Sequence, residues 1–374
     1  MAFSLSQVET FLRDRIAPVA TELDADSVLL KTAFQDLGRQ GWLGLRISRQ
    51  WGGAELGDRE FRQFQELLAR YSGALAFLQA QHQSAGSFLS RSHNESLQQQ
   101  FLPRMGNGEV GVGVGFSHLR RAGEPTLQAK PVENGYLLDG SIPWITGYGI
   151  FEWAIVAAVL PDQQAIYGMV PLHPLPQAEQ AGKGKVMFSE PMQLAAMTAS
   201  NTVSAQFDQW VLPASQVLFV TPANAIHKSD GLNVLQHSFY ALGCAQAALD
   251  WMQIVQAQRS LPFIQTAYNA LVQELCHCRS KIYAADSQSF SERLTLRAWA
   301  IELAVRCAHA AVVVSAGSAN STSHPAQRIY REAMVFSVTG QTTAVMEATL
   351  TRLIQNAPDS AQGQTTTDLQ EIYL

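Results

Sequence analysis

The sequence predicts an α+β protein that is mainly α-helical, because the period of its hydrophobic pattern changes twice along the chain. The spacing is helical from residue 5 to about 105, shortens to two residues from about 110 to 222, and then becomes helical again. Strands and helices do not alternate, which argues against a parallel sheet of βαβ units. We expect an N-terminal α-helical domain (1–109), a middle antiparallel β-domain (110–222) and a C-terminal four-helix-type bundle with a tail (223–374).

The N-terminal domain is predicted from helix-type spacing in successive segments. Phe11, Ile16 and Val19 share one segment, and "FQDLGRQGWLGL" and "FRQFQELLARYSGALAFLQAQH" continue the pattern. The first residues, "MAFSLSQVETFLRDRIAPVATELD", carry interspersed charges and lack the apolar core of a signal peptide. No uncharged apolar run of membrane-spanning length follows, so we expect a cytoplasmic protein without a membrane partner.

The middle domain is predicted from short segments in which apolar and polar residues alternate. "EVGVGVGF", "GYLLDGSIPWI", "WAIVAAVL" and "AIYGMVPL" are each bounded by Gly, Pro, Asn or Asp, as antiparallel strands are. "GVGVG" at 111–115 lacks the glycine spacing and the crossover helix of a dinucleotide-binding motif. Its three glycines share one face of a strand, so a large flat group or another backbone could approach closely there, and close packing against a helix is the alternative.

The C-terminal domain is predicted from a long helical stripe and an apolar helix. Leu235, Phe239, Leu242, Leu249 and Met252 follow spacings of 4, 3, 7 and 3, and "LTLRAWAIELAVRCAHAAVVVSAG" is apolar on nearly every side. A helix without a polar face belongs inside a bundle. Periodicity is lost from "NAPDSAQGQTTTD" onwards, which predicts a loose tail or one that lies along a partner.

Composition narrows the possible partners. The 374 residues are 47% hydrophobic and only 15% charged, which favours a homo-oligomer that buries part of its surface between subunits. The net charge of -5 comes without basic runs, so nucleic acid is not an expected partner. The four cysteines lie in helical segments, which is typical of cytosolic proteins. "CHC" at 276–278 predicts no metal site, because residues two apart on a helix point in different directions.

Several stretches, taken in order, resemble the acyl-CoA dehydrogenase family. "FQDLGRQGWLGLRISRQWGGAEL" is similar to the family's opening, and "ARYSGALAFLQAQHQSA" and "FLPRMGNGE" follow it. "GYLLDGSIPWITG" resembles the strand with the family's Trp-(Ile/Val)-(Thr/Ser) flavin motif, "SNTVSAQFDQWVLPASQVL" its Phe-Asp…Val-Pro strand, and "HPAQRIYREAMVFSVTGQT" its late Arg-Asp-Ala segment. The resemblance extends to about residue 355 and implies a helical domain, an antiparallel β-barrel and a four-helix bundle.

The resemblance implies an FAD cofactor beside Trp144 and Thr146. In the family, the matching residues lie against the flavin ring, as an aromatic wall and as a hydrogen-bond donor near N5 and O4. A flat ring gains from stacking, and a preorganised hydrogen bond at N5 stabilises the transferred hydride. The structural alternative is a core tryptophan at a strand end with a hydrogen-bonded threonine.

Four further cofactor residues are implied by the resemblance. Arg259 and Phe263 match residues that reach the adenosine diphosphate part of FAD in a neighbouring subunit, although "RSLPFIQTAYN" is shorter here. Gly317 matches the second glycine of a double-glycine turn, and Thr342 matches the threonine of the family's "EGT". The structural alternatives are a charge at a helix C-terminus for Arg259, a helix C-cap for Gly317 and an N-cap for Thr342.

The chain departs from the family in one substrate-proximal loop. "VGFSHLRRAGEP" replaces the usual Thr-Glu-Pro-Gly-Ala-Gly-Ser-Asp segment. Arg120 and Arg121 are candidates for binding a phosphate or carboxylate of the substrate through forked hydrogen bonds, and a solvated basic loop is the alternative. His118 is a candidate for proton transfer, although a lone histidine is more often a packing residue.

The second departure concerns the catalytic base. The family removes the α-proton of an acyl thioester with a glutamate, which counting without gaps places at Gly340, or at Asn233 in members that use an alternative site. Neither residue accepts a proton at neutral pH. Glu332 matches a structural aspartate of the family, and Glu347, about two turns beyond Gly340, is a second catalytic candidate besides His118. Asp230 is expected to be an N-cap or a first-turn charge of the bundle helix.

Three functions follow as alternatives. The first is FAD-dependent α,β-desaturation of an acyl-CoA thioester, with hydride transfer to flavin N5 and an unidentified electron acceptor. The second is a flavin-dependent monooxygenase or oxidase on the same fold, which needs no such glutamate. The third is a catalytically silent protein that binds flavin or an acyl group. FAD shared between subunits, as in the family, requires a homodimer or homotetramer.

Overall fold

The computed structural model describes residues 3–174 and 184–355, and the predicted tail lies outside them. Its helical order confirms the mainly helical α+β class. The twelve α-helices of the described residues are α1 Leu5–Phe11, α2 Ala20–Leu23, α3 Ser27–Arg39, α4 Asp58–Tyr71, α5 Gly73–Ser90, α6 Glu95–Gly106, α7 Ala225–Leu232, α8 Ser238–Arg259, α9 Pro262–Tyr283, α10 Phe290–Ser315, α11 Pro325–Val338 and α12 Thr343–Gln355.

The N-terminal helices begin where the sequence supplies capping side chains. The Asp26 carboxylate accepts hydrogen bonds from the backbone N–H groups of Val28 and Leu29, 2.8 and 3.0 Å away, at the start of α3. The Ser72 hydroxyl accepts one from Leu75 N–H at 3.3 Å, so α5 begins one residue after α4 ends. Such caps satisfy donors that the first turn of a helix leaves free.

The middle of the chain forms a mixed sheet. Its strands are β1 Val112–Gly115, β2 Leu127–Val132, β3 Gly135–Ile145, β4 Trp153–Val159, β5 Gln164–Pro171, β6 Lys185–Phe188, β7 Val203–Pro213 and β8 Val217–Pro222. They follow the order β6-β7-β3-β2-β4-β5-β8, with β1 paired to β4. Five pairings are antiparallel, as predicted, but β1–β4 and β2–β4 are parallel.

The glycine face of β1 is filled by side chains of the sheet and its connections. A Cβ atom on Gly111 would lie 2.5 Å from the Phe151 ring, and one on Gly113 would lie 3.1 Å from the same ring. A Cβ on Gly115 would lie 2.8 Å from the Ile145 side chain. Close packing therefore explains the three glycines, and the packed groups are Phe151, Ile145 and the Thr146 backbone carbonyl, 2.9 Å from a Cβ on Gly113, rather than a helix or a flat ligand.

The C-terminal helices form a bundle around α8 and α10. The predicted stripe from Leu235 to Met252 is buried at all five positions. One described segment, Phe290–Asn320, is long and apolar enough to cross a membrane, and half of its most apolar window is buried inside the protein. It contains the buried charged residues Arg297 and Glu302 and packs against α8, as the central helix of a bundle does.

Two polar contacts of α11, one through Glu332 and one through Arg331, join the bundle to the N-terminal domain. Glu332 of α11 is fully buried, lies 2.7 Å from Arg328, and accepts a hydrogen bond from Gly73 N–H at 3.0 Å at the start of α5. Arg331 donates to the buried Asp24 at 2.6 Å, between α2 and α3. These contacts fix the helical layers on either side of the strand ends that carry the candidate site.

Candidate functional site

The Trp144 indole is exposed near the end of β3, although the strand is otherwise mostly sheltered. Its residue is 44% exposed, whereas Ile142 and Ile145 are fully buried. The pairing of β3 with β7 shifts register between Ile142 and Ile145, so Trp144 falls in an irregular stretch. Bulges of this kind re-aim a side chain and recur next to active sites. The sequence predicted an aromatic wall at this place, and the structure turns the indole outward.

Buried hydroxyl groups lie next to this indole in the chain. The Thr146 hydroxyl lies 3.0 Å from that of Thr202, and both residues are buried. Only one hydroxyl of such a pair donates to the other, so one proton remains available. The Ser200 hydroxyl is buried and has no hydrogen-bond partner in the described part of the chain. Spare buried donors of this kind call for a ligand, a water or an internal partner.

Backbone contacts hold these hydroxyls in place. Gly147 N–H donates to the Ser200 carbonyl at 2.8 Å, and Tyr148 N–H donates to the Asn201 carbonyl at 3.1 Å. The turn that carries Ser200 is fixed in addition by Asp24, whose carboxylate accepts from Met197 N–H at 2.5 Å. Gly147 has φ of +102°, a left-handed conformation that favours glycine, which explains the first glycine of "TGYG" after the strand.

An exposed indole beside spare hydroxyl donors fits a flat ring with hydrogen-bond acceptors along one edge, as FAD has. Thr146 itself shares its hydroxyl with Thr202, so the donor for such an edge comes from the pair or from Ser200. The stacking surface and the donors are residues of one strand end and one turn. These residue types supply the stacking and the hydrogen bond that one side of a flavin ring uses.

The other predicted cofactor residues lie elsewhere in the bundle. Arg259 is the last residue of α8 and is exposed, and Phe263, next to the start of α9, is 69% exposed. Gly317 lies in the turn that follows α10, where a Cβ would meet nothing within 4 Å. The Thr342 hydroxyl accepts from Val345 N–H at 3.3 Å, so this threonine caps α12. No hydrogen bond between described residues links these four positions to Trp144.

In the loop that differs from the family's sequence, one of the two arginines is already paired with a carboxylate. Arg120 donates two hydrogen bonds to Asp230, at 2.7 and 2.8 Å, whereas Arg121 is exposed and forms no ion pair with a described residue. Asp230 lies in the last turn of α7, so the expectation that it caps a helix N-terminus is wrong. Asp230 pairs with Arg120 instead, through the two parallel hydrogen bonds that a guanidinium makes with a carboxylate.

His118 is buried inside the β-domain. Its Nε2 lies 3.0 Å from the Ala157 carbonyl, and its Nδ1 has no partner in the part of the chain that the structure describes. Burial lowers the pKa of His118 to about 4, with Arg121 contributing to the fall. The imidazole is therefore neutral at pH 7 and anchored to the sheet, which is the arrangement of a packing residue.

The positions where the resemblance expects a base hold no described carboxylate. Gly340 has φ of +62°, and Asn233 is exposed with its amide donating to the Ser229 carbonyl at 2.9 Å. Glu347 is exposed on α12, and Glu332 is committed to its buried ion pair. The group nearest to the missing Gly340 side chain is the His237 ring, 2.4 Å from where a Cβ would be.

Sequence reasoning missed His237 and Arg297. His237 immediately precedes α8, and Arg297 lies in α10 and donates to the carbonyls of Thr339 and Gly340, at 2.8 and 3.0 Å. Neither belongs to a motif, and their neighbours come from distant parts of the chain. The available signal was an arginine within the mostly apolar stretch "LTLRAWAIELAV", since a charged residue that is buried needs partners.

Comparisons with known proteins find that the chain is similar to acyl-CoA dehydrogenases and related enzymes. Residues 4–109 match the family model described as "Acyl-CoA dehydrogenase, N-terminal domain". The mitochondrial isovaleryl-CoA dehydrogenase of Pongo abelii is 27% identical over 265 residues, 65% of this chain and 59% of that relative. The chain thus spans about three fifths of that relative's length. The 3-(aryl)acrylate reductase of Clostridium sporogenes is 21% identical over 373 residues, 90% of this chain and 93% of the relative.

Solved structures share the fold at low sequence identity. The butyryl-CoA dehydrogenase of Megasphaera elsdenii gives a TM-score of 0.75 at 18% identity, covering 95% of this chain and 100% of that one. A glutaryl-coenzyme A dehydrogenase in complex with glutaryl-CoA gives 0.77 at 20% identity, covering 94% and 97%. The likeness extends along nearly the whole chain, including the sheet and the bundle.

Proposed function

We propose that this chain, a member of the acyl-CoA dehydrogenase family, is an FAD-dependent oxidoreductase that acts on the Cα–Cβ bond of an acyl-CoA thioester. The observation that carries the proposal is the exposed Trp144 indole two residues before Thr146, whose buried hydroxyl pairs with that of Thr202. The relatives are named as dehydrogenases of acyl-CoA thioesters and as an acrylate reductase, which supports chemistry at a C–C bond.

The residues of the strand end would hold the flavin ring. Trp144 supplies the stacking surface, and the hydroxyl pair of Thr146 and Thr202 supplies a hydrogen bond to the polar edge of the ring. Bound FAD supplies the two-electron acceptor for a hydride from the substrate. Arg259 and Phe263, both exposed at the α8–α9 connection, are positioned to contact a molecule that lies outside this subunit.

The lack of a described carboxylate at Gly340 and Asn233 bears on the rate rather than on binding. A positioned general base contributes roughly 10²- to 10⁴-fold to a rate. We therefore propose a slow desaturase in which another group takes the α-proton. A monooxygenase or oxidase that needs no such base, and a silent flavin- or acyl-binding protein, are the alternatives that the same geometry supports.

Anaerobic mixing with acyl-CoA tests the three functions against one another. We expect the flavin absorbance of the purified protein to bleach slowly on addition of short, branched or aromatic acyl-CoA thioesters, because the thioester would reduce the bound ring. Flavin that stays oxidised with every thioester, together with substrate-dependent oxygen uptake when reduced flavin is supplied, would favour the monooxygenase or oxidase. Flavin that stays oxidised in both assays would leave a binding protein.

We propose in addition that the protein is a homodimer or homotetramer. Large apolar side chains are exposed along α11 and α12, among them Val338 at 60%, Leu350 at 56% and Ile354 at 72%. Apolar surface of this kind on neighbouring helices favours burial against another subunit. Light scattering on the purified protein is expected to give two or four times 40.9 kDa, and a monomer at micromolar concentration would contradict the proposal.

A further inference from the structure

Polar atoms without partners gather where α7, α8 and α10 meet the turn after α11. His237 Nδ1, Arg297 Nε and Gln341 Oε1 are buried and have no hydrogen-bond partner in the described ranges. The Ser238 hydroxyl, on a residue that is 0% exposed, has none either. Native proteins leave few such atoms unsatisfied, so four of them around one junction call for a ligand or a water there.

The same junction carries more positive than negative charge. Arg297 is 3% exposed, and no carboxylate in the described ranges lies within 4.0 Å of it. It donates instead to neutral carbonyls of Val234, Thr339 and Gly340, at 2.8 to 3.0 Å. Burial lowers the pKa of Arg297 to about 10, while Asp230 opposes the fall. The guanidinium is charged at pH 7 and lacks a counter-ion.

Helix ends compensate only part of this charge. Arg297 caps the C-terminal end of α11, and Arg293 donates to the Leu232 carbonyl at 2.9 Å at the end of α7. The C-terminal end of each of these two helices carries roughly half a negative charge. The only described carboxylate in direct contact with an arginine of this group is Asp230, and Arg120 already pairs with it at 2.7 Å. The start of α8 adds roughly half a positive charge, so a surplus of about one to two charges remains.

The start of α8 lies at this junction without a side-chain cap. Ser238 N–H donates to the Leu235 carbonyl at 2.9 Å, which leaves the next N–H groups of the first turn as possible donors. Burial, with the positive charges of Arg297 and Arg120, lowers the pKa of His237 to about 3, which leaves the imidazole neutral. The ring lies against Gly340, where any side chain would collide with it. Leu232, at 73% exposure, and Asn233 are exposed at the end of α7, a few residues before His237 in the chain.

We propose that His237, Ser238 and Arg297 bind an anionic oxygen group of the substrate, either a carboxylate of the acyl part or a phosphate of coenzyme A. The inference deepens the proposed function and names a chemical class of substrate. An oxyanion would accept hydrogen bonds from the Ser238 hydroxyl, Arg297 Nε and the first N–H groups of α8, and would supply the counter-ion that Arg297 lacks.

Ligand-observed NMR titrations of the purified protein separate the two sources of the anion. Pentanoate and its neutral isostere pentanamide test for a carboxylate, and coenzyme A and inorganic phosphate test for a phosphate. For a carboxylate we expect pentanoate to bind at least about 10-fold more tightly than pentanamide. Tight binding of coenzyme A or phosphate without such discrimination would assign the site to a phosphate.

Variants decide whether the binding occurs at this junction. Arg297→Gln and Ser238→Ala are each expected to weaken the bound anion, by about 10-fold and about 3-fold. Arg15→Gln, which removes an exposed arginine of the N-terminal segment, is expected to change nothing. If Arg297→Gln does not fold, Ser238→Ala and His237→Asn carry the comparison, because neither removes a hydrogen bond to the carbonyls at the α11 end.

Two results would overturn the inference. One is the absence of binding by all three anions, and the other is anion binding that Ser238→Ala, His237→Asn and Arg297→Gln leave unchanged. The titrations need no flavin chemistry. A yellow protein that bleaches with acyl-CoA but ignores anions contradicts this inference alone, whereas a colourless protein that binds them contradicts the oxidoreductase proposal alone.

Discussion

Glu332→Ala is expected to lower the free energy of unfolding by about 3–5 kcal/mol, because it removes one partner of a fully buried ion pair. The substitution would leave the Arg328 guanidinium, 7% exposed, without its carboxylate at 2.7 Å. It would also leave Gly73 N–H at the start of α5 without its acceptor at 3.0 Å. Burial raises the pKa of Glu332, and the positive charge of Arg328 opposes that rise. Each partner therefore stabilises the charge of the other inside the protein.

Chemical denaturation of the variants checks this expectation. Glu332→Gln keeps the shape and the acceptor for Gly73 N–H but removes the charge, so we expect a smaller loss than for alanine. Glu347→Ala, on the exposed face of α12, is the matched control and should change stability by no more than about 0.5 kcal/mol. A loss of less than about 1 kcal/mol for Glu332→Ala would show that the bundle and the N-terminal domain are not coupled through this pair.

Trp144→Ala is expected to weaken FAD binding by about 10- to 100-fold, on the order of 1.4–2.8 kcal/mol. The indole is 44% exposed, so its removal costs little internal packing and acts mainly on a bound ring. Fluorescence titration of the FAD-free protein measures the affinity, and thermal unfolding of the same sample measures the fold. We expect the FAD affinity to fall while the unfolding temperature stays close to that of the wild type.

Val132→Ala is the matched control for this substitution. Val132 is a 39% exposed apolar residue of β2 in the same sheet, and it lies away from the strand end that carries Trp144. We expect unchanged FAD affinity. Equal affinity of wild type and Trp144→Ala, with the native flavin spectrum retained, would move the ring away from this tryptophan.

The order of helices, strands and helices followed from the sequence because hydrophobic period is a local property. The stripe from Leu235 to Met252 is buried as the 3.6-residue spacing requires. Local pattern does not reveal which strands pair, however. The parallel pairing of Val112 with Trp153 joins residues 41 positions apart, and only the alternation within each strand was visible beforehand.

The candidate site was predicted in part for the same reason. Trp144 and Thr146 lie on one strand, so a short motif identified both. The contact between Arg120 and Asp230, and that between His237 and Gly340, each join residues about a hundred positions apart. Nothing in the spacing of either pair marks them as neighbours. The glycines near β1 correctly predicted a strand face without side chains. The Phe151 side chain, rather than a ligand, packs against that face.

The flavin content of the purified protein tests the central claim most directly. Release of the cofactor from a weighed amount of protein, with absorbance of the native and denatured samples, gives the number of flavins per chain. We expect close to one FAD per chain, or full uptake of added FAD with perturbed flavin bands. A colourless protein whose spectrum and stability ignore both FAD and FMN would contradict the site built on Trp144 and Thr146.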